Sequence, residues 1–183
     1  GYIANGATPW RIPDIDKEYK SITPRHATDE DKKEKFQPYK RDAEKLARKW
    51  AIPGMEGFTH RVGGLEKENL TGNVSYDPAN HELMINLRQE KVERVANYIP
   101  KQVVEGNKDS ETLVVSWGGT YGSVHQAVKE LGNIAHIHLK YINPMPTNIE
   151  SILRSYKKVI VCELNKGQLK DLINSKFSIN AQG

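Results

Sequence analysis

One cysteine in 183 residues excludes an internal disulfide, and a lone thiol fits a reducing cytosol. No apolar run approaches the ~20 residues of a membrane span, and no secretory signal is present. Apolar residues are scarce, 37% of the chain with a mean hydropathy of −0.67, which is low for a chain built on a buried sheet. A large part must therefore be polar and extended. Charge of one sign is not in great excess: 27 basic against 23 acidic residues leave +4, with a pI near 9.0. No basic cluster is interleaved with aromatics, so nucleic acid is not an expected partner. Neither is a membrane, and a cytoplasmic location is expected. An initiator methionine is also missing, and Gly1-Tyr-Ile-Ala-Asn reads as cut from something longer.

What the sequence does hold is an alternation of strand and helix from Thr112 to Glu163. Thr112-Leu-Val-Val-Ser-Trp117 is apolar and β-branched enough for a buried strand, and it breaks at Gly118-Gly119-Thr120-Tyr121-Gly122. Val124, Ala127, Val128 and Leu131 recur at i, i+3, i+4 and i+7, one helical stripe. Residues 134–139 form the next strand, Asn143-Pro-Met-Pro146 a turn, and Ile149, Ile152, Leu153 and Tyr156 a second stripe. Lys158-Val-Ile-Val-Cys-Glu163 closes the series. Crossovers of this length join parallel strands, so the core is expected to be an open α/β sheet.

Upstream, residues 1–25 show no period of either kind. They are expected to be irregular and to lie across another surface through Tyr2, Ile3, Trp10 and Ile12. Thr28 with Asp31 predicts a cap for a short charged helix through Phe36. Asp42 predicts a further helix that buries Ala43, Leu46, Ala47 and Trp50. Residues 60–76 are glycine-rich, a long connection of the functional or interfacial kind. Asp77-Pro78 marks a helix start running to about Asn97, its stripe finished by Val92, Val95, Ala96 and Ile99. Gln102-Val-Val-Glu105 is an edge strand turned back against Thr112–Trp117, hence antiparallel to the rest. Leu169, Leu172 and Ile173 stripe a last helix, and Phe177-Ser-Ile179 begins a last strand. The domain reading is an irregular arm with short helices over residues 1–76 and an α/β domain over 77–183.

In open α/β sheets, function gathers at the carboxyl ends of the strands. Three loops meet that description: 118–123, 141–143 and 163–168. They make Gly118, Gly119, Thr120, Tyr121, Gly122, Tyr141, Asn143, Glu163, Asn165 and Gln168 the candidate interface or active-site edge. The first loop lacks a P-loop lysine and the Gly-x-Gly-x-x-Gly spacing, so its glycines read as a tight turn. Glu163 ends an apolar strand beside amides. A raised pKa there would suit proton transfer, while a carboxylate bonded to backbone N–H groups would merely fix the loop. His136 and His138 share a face, but no third ligand is evident, and no metal is expected. Cys162 reads as a small core hydrophobe. No nucleophile–base pair or acid pair stands out, so no catalytic residue is assigned and cofactor-binding residues stay open.

Several stretches together resemble the alpha subunit of 2-oxoacid:ferredoxin oxidoreductases, specifically the 2-oxoglutarate type. They are Pro38-Tyr-Lys-Arg-Asp42, Ala51-Ile-Pro-Gly54, His60-Arg-Val-Gly-Gly-Leu-Glu66, Thr71-Gly-Asn-Val-Ser-Tyr-Asp-Pro78 with Asn80-His81, Trp117-Gly-Gly-Thr-Tyr-Gly122, His136-Ile-His-Leu-Lys-Tyr-Ile-Asn-Pro-Met-Pro146 and Glu163-Leu-Asn-Lys-Gly-Gln-Leu169. The resemblance implies a three-layer α/β/α domain with a mostly parallel sheet and one antiparallel strand, similar to the carboxyl-terminal domain of transketolases. It implies the later part of that subunit, with the catalytic amino-terminal part as one partner. The beta subunit carrying thiamine diphosphate and an iron–sulfur cluster is another, and ferredoxin serves the complex. Such enzymes oxidatively decarboxylate a 2-oxoacid to an acyl-CoA and reduce ferredoxin. No cofactor is expected on this chain, whose single cysteine cannot ligate a cluster alone. Between Asp42 and Ala51 the family is richer in proline, which leaves an extended arm as the alternative to a helix there. The expected role is assembly and active-site support, with the isolated chain inactive. The alternative is a nucleotide- or coenzyme A-binding module using loop 118–123.

Overall fold

The computed structural model describes residues 14–18 and 24–183. The expected surface contacts of Tyr2, Ile3, Trp10 and Ile12 lie outside the described residues. The chain divides into two compact units, up to Lys91 and from Val92 onward.

The first unit is polar and loop-rich. A single helical turn, α1 (Ile15–Glu18), is followed by a 3-10 turn at Asp29–Lys32. Thr28 and Asp31 form the expected cap, with the Thr28 N–H and hydroxyl donating to Asp31 at 2.8 and 3.1 Å. The helix does not reach Phe36. Lys49 claims Asp31 at 2.6 Å, and Phe36 leaves the helical path to pack edge-on against Phe58, ring centroids 4.9 Å apart.

The helix expected from Asp42 is absent, as the extended alternative allowed. The Asp42 carboxylate accepts from the N–H groups of Glu44, Lys45 and Ala47, as a cap would. The chain then doubles back through Leu46 at φ 53°, so Arg41 and Arg48 pair antiparallel. Trp50, expected buried, is exposed.

Residues 60–76 are closed by side chains rather than by a core. Buried Lys67 donates to the carbonyls of Gly63 and Leu65, and Asn80 ties down Asn69 N–H and the Lys67 carbonyl. Helix α2 (Pro78–Arg94) starts as expected, with Asp77 accepting from Ala79 N–H at 3.0 Å. Met84 is its buried residue, and Val92 and Val95 of the expected stripe are exposed.

The second unit is the sheet. In chain order it comprises β1 (Glu105–Gly106), β2 (Thr112–Trp117), α3 (Tyr121–Leu131), β3 (Ala135–Leu139), α4 (Ile149–Arg154), β4 (Lys158–Cys162) and α5 (Gln168–Phe177). The sheet order is β1-β3-β2-β4, with β2 parallel to both β3 and β4 and β1 antiparallel to β3. The mostly parallel fold with one antiparallel strand is thus as expected.

The edge strand's partner is not. It pairs with β3 rather than β2, because both edges of β2 are already taken by parallel neighbours. The last strand also fails to form. Ser178 at φ 51° turns the chain, and Gln182 makes a lone parallel bridge to Ile160.

Alternation along the strands sends Leu113, Val115, Ala135, Ile137, Leu139, Val159 and Val161 to one face. There they pack with Ile149 and Leu153 of α4 and Leu169, Ile173 and Phe177 of α5. The opposite face carries Val114, Ser116, His136 and His138. It meets α3, of which Val128 is buried while Ala127 and Leu131 of the expected stripe are exposed.

Candidate functional site

The parallel strands end at Trp117, Leu139 and Cys162, so the three expected loops do share one rim. The connection from β2 steps to one neighbour and that from β3 steps back across to β4. The crevice where such sheets take ligands therefore lies between the ends of β2 and β4. Side chains of this chain span it. The Trp117 indole N–H donates to Glu163 Oε2 at 3.3 Å. The Thr120 hydroxyl donates to the Trp117 carbonyl at 2.7 Å and lies 3.5 Å from the Cys162 carbonyl.

Glu163 also accepts from the N–H groups of Leu169 (3.0 Å) and Lys170 (3.1 Å), at the start of α5. Burial alone would raise its carboxyl pKa. Those two N–H groups, with Asn165 and the Trp117 indole, outweigh burial and hold it below the ordinary value. The raised pKa that would have suited proton transfer is thus corrected to a lowered one; this carboxylate fixes the loop. Asn165 Oδ1 accepts from Gly167 and Gln168 N–H, each at 2.9 Å.

Gly118 adopts φ 57°, which favours glycine, whereas a Cβ at Gly119 or Gly122 would meet nothing. Tyr141 and Asn143 are exposed on the second loop, where the Asn143–Pro144 peptide is cis. Leu164 stands 92% exposed on the third. Rim contacts thus join Thr120, Glu163, Asn165 and Gln168. Tyr121 belongs elsewhere, its ring against His125 and His138 at centroid distances of 5.2 and 5.0 Å.

Tyr121 marks a second constellation, on the α3 face of the sheet. His136 is fully buried with Nε2 2.7 Å from Ser116 Oγ, and His138 Nδ1 is 2.8 Å from the same oxygen. Burial lowers the pKa of both imidazoles, and the Glu105 carboxylate only partly offsets it. Glu105 Oε2 lies 3.1 Å from His125 Nδ1. The sequence showed the His136/His138 pair by its two-residue period. Glu105 and His125 gave no signal, since only the fold brings an edge strand and a helix beside that pair. Cys162 is half-buried, and burial pushes its thiol pKa up, as suits an inert side chain. In the first unit a cleft of about 430 Å³ is lined by residues between Arg25 and Lys49.

Fold and rim define a class: an open α/β domain with an antiparallel edge strand and a self-tied carboxyl edge. No protein-family model matches the chain. Its whole length is similar to part of 2-oxoglutarate oxidoreductase subunit KorA of Mycobacterium tuberculosis, 43% identical over 187 residues and 28% of that protein's length. It is 30% identical over 104 residues to the alpha subunit of 2-oxoacid:ferredoxin oxidoreductase 1 of Aeropyrum pernix, covering 51% of this chain and 16% of the relative. Among solved structures it is similar to a 2-oxoglutarate:ferredoxin oxidoreductase from Magnetococcus marinus, with 2-oxoglutarate, coenzyme A and succinyl-CoA bound. That match has a TM-score of 0.78 and 28% identity, over 93% of this chain and 30% of the other. The resemblance read from the sequence motifs therefore holds along the chain, which spans under a third of each of these relatives.

Proposed function

We propose that this chain is the later part of the alpha subunit of a 2-oxoglutarate:ferredoxin oxidoreductase, and that it serves assembly and active-site support rather than chemistry. The complex would convert a 2-oxoacid to its acyl-CoA and reduce ferredoxin. Thiamine diphosphate and iron–sulfur clusters would be held by the beta subunit. The observation that carries the reading is the whole-chain similarity to KorA, joined to a switch-point crevice already occupied by Trp117, Thr120 and Glu163. A crevice tied by its own side chains favours a supporting role over nucleotide binding at that point. In this reading residues 77–183 are the docking domain and 1–76 the arm. The rim loops 118–123, 141–143 and 163–168 rest on the catalytic part of the same subunit, with Leu164 inserted into it.

Turnover of 2-oxoglutarate with coenzyme A and ferredoxin tests the proposal in the assembled complex. Leu164→Asp should cut that turnover at least tenfold while the variant still folds, and the isolated chain should show none. Saturable coenzyme A binding by the isolated chain, lost in a loop 118–123 variant, would favour the binding-module reading instead.

A further inference from the structure

We infer that Glu105, His125 and His136 form a site for one divalent transition-metal ion of the class taking imidazole and carboxylate ligands, zinc foremost. One donor atom from each residue lies within 4.8 Å of the other two. Glu105 Oε2 is 3.1 Å from His125 Nδ1 and 3.7 Å from His136 Nδ1. Ligand atoms around a tetrahedral zinc stand about 3.3 Å apart. Small rotations of Glu105 and His125, both partly exposed, therefore suffice to close the shell while His136 stays in place.

The buried imidazole supplies the second, independent observation. His136 Nε2 is engaged by the Ser116 hydroxyl, which also meets His138. A hydroxyl has a single proton. When that proton goes to His138, the Nε2–H of His136 donates to Ser116, and Nδ1 keeps a bare lone pair. Nδ1 is a buried side-chain atom without a hydrogen-bond partner, and it looks at a carboxylate 3.7 Å away. In that tautomer two electron-rich groups face each other and a cation fits between them; in the other, the Nδ1 proton points at Glu105 and a metal ion would replace it.

The hydrogen bond on the far ring nitrogen is the outer support that metal-ligating histidines have. The Tyr121 hydroxyl, 3.5 Å from Glu105 Oε2, or a water would take the fourth position. The register fits too, since Glu105 and His136 are direct partners across the β1–β3 pair. The ion would tie a two-residue edge strand to helix and sheet, and this holds whether or not the oxidoreductase reading does.

Zn²⁺ and Co²⁺ titrated into the chelator-stripped, purified full-length protein test the site. The comparison is wild type against His125→Ala and Glu105→Gln, with Cys162→Ser as control. Both test residues are partly exposed, so the fold survives; His136→Ala would leave a buried cavity and is avoided. Expected are one fewer tightly bound ion, or at least tenfold weaker binding, in each test variant but not in the control. The Co²⁺ protein should show the visible absorption of a four-coordinate nitrogen–oxygen site, and a crystal an anomalous peak between the two imidazoles. Equal stoichiometry and affinity in wild type and both variants, or a peak elsewhere only, overturns the assignment.

Discussion

Glu163 and Glu66 are both carboxylates held by converging donors, and they differ in what the donors are. Glu163 is bonded to backbone N–H groups at a helix start, so its loss acts on α5 directly. Glu163→Ala is expected to cost about 1 kcal/mol, read as a lower denaturant midpoint with unchanged slope. Glu66 instead sits between Arg88, at 3.2 and 3.4 Å, and His81 at 2.8 Å. Arg88 first and His81 second bring its pKa down to about 2 from 4.5. A folded pKa below the unfolded one gives stability that is present above about pH 4.5 and lost as pH falls through about 2. Because the group meets solvent, the amount stays within ~1 kcal/mol. An NMR titration of the Glu66 carboxyl should show the low midpoint, and Arg88→Ala should move it back toward the ordinary value.

At the scale of elements, β1 depends on one backbone position. Gly106 lies at φ 74°, and a Cβ there would meet the Ile134 carbonyl oxygen at 2.5 Å. Gly106→Ala should therefore cost ~1–3 kcal/mol by denaturant melt, with faster amide exchange along β1 and β3. The helices teach a different lesson. Their periods were legible in the sequence, and α3, α4 and α5 formed where the stripes lay, whereas of the α2 stripe only Val92 falls inside the helix and Val95 and Ala96 lie in the 3-10 turn that follows it. A stripe names the apolar face but not whether anything covers it. In α4 the stripe meets the sheet through Ile149 and Leu153; in α3 Leu131 is left 61% exposed. Asp42 shows the converse. Its side chain takes N–H groups as a helix cap does, yet a turn with Leu46 in the left-handed region satisfies it as well as a helix would.

For the whole molecule, the order β1-β3-β2-β4 places α4 and α5 on one sheet face and α3 on the other. Ile173 is fully buried in the first, and Ile173→Ala should cost ~2–5 kcal/mol in a denaturant melt. Leu131→Ser on α3 should change the isolated chain by under ~0.5 kcal/mol. No helix among the described residues is long and apolar enough to cross a membrane.

By itself the sequence determined the α/β class, the three parallel strands and their shared carboxyl rim. These follow from short-range periodicity and from the lengths of the crossovers, which admit few topologies. The tertiary structure alone decided that β1 lies beside β3 and that Trp117 and Thr120 close the crevice against Glu163 and Cys162. It alone decided that Glu105 and His125 stand next to His136. Strand neighbours and side-chain meetings between residues 11 to 46 positions apart depend on which edges are still free when the sheet assembles, and no local pattern records that.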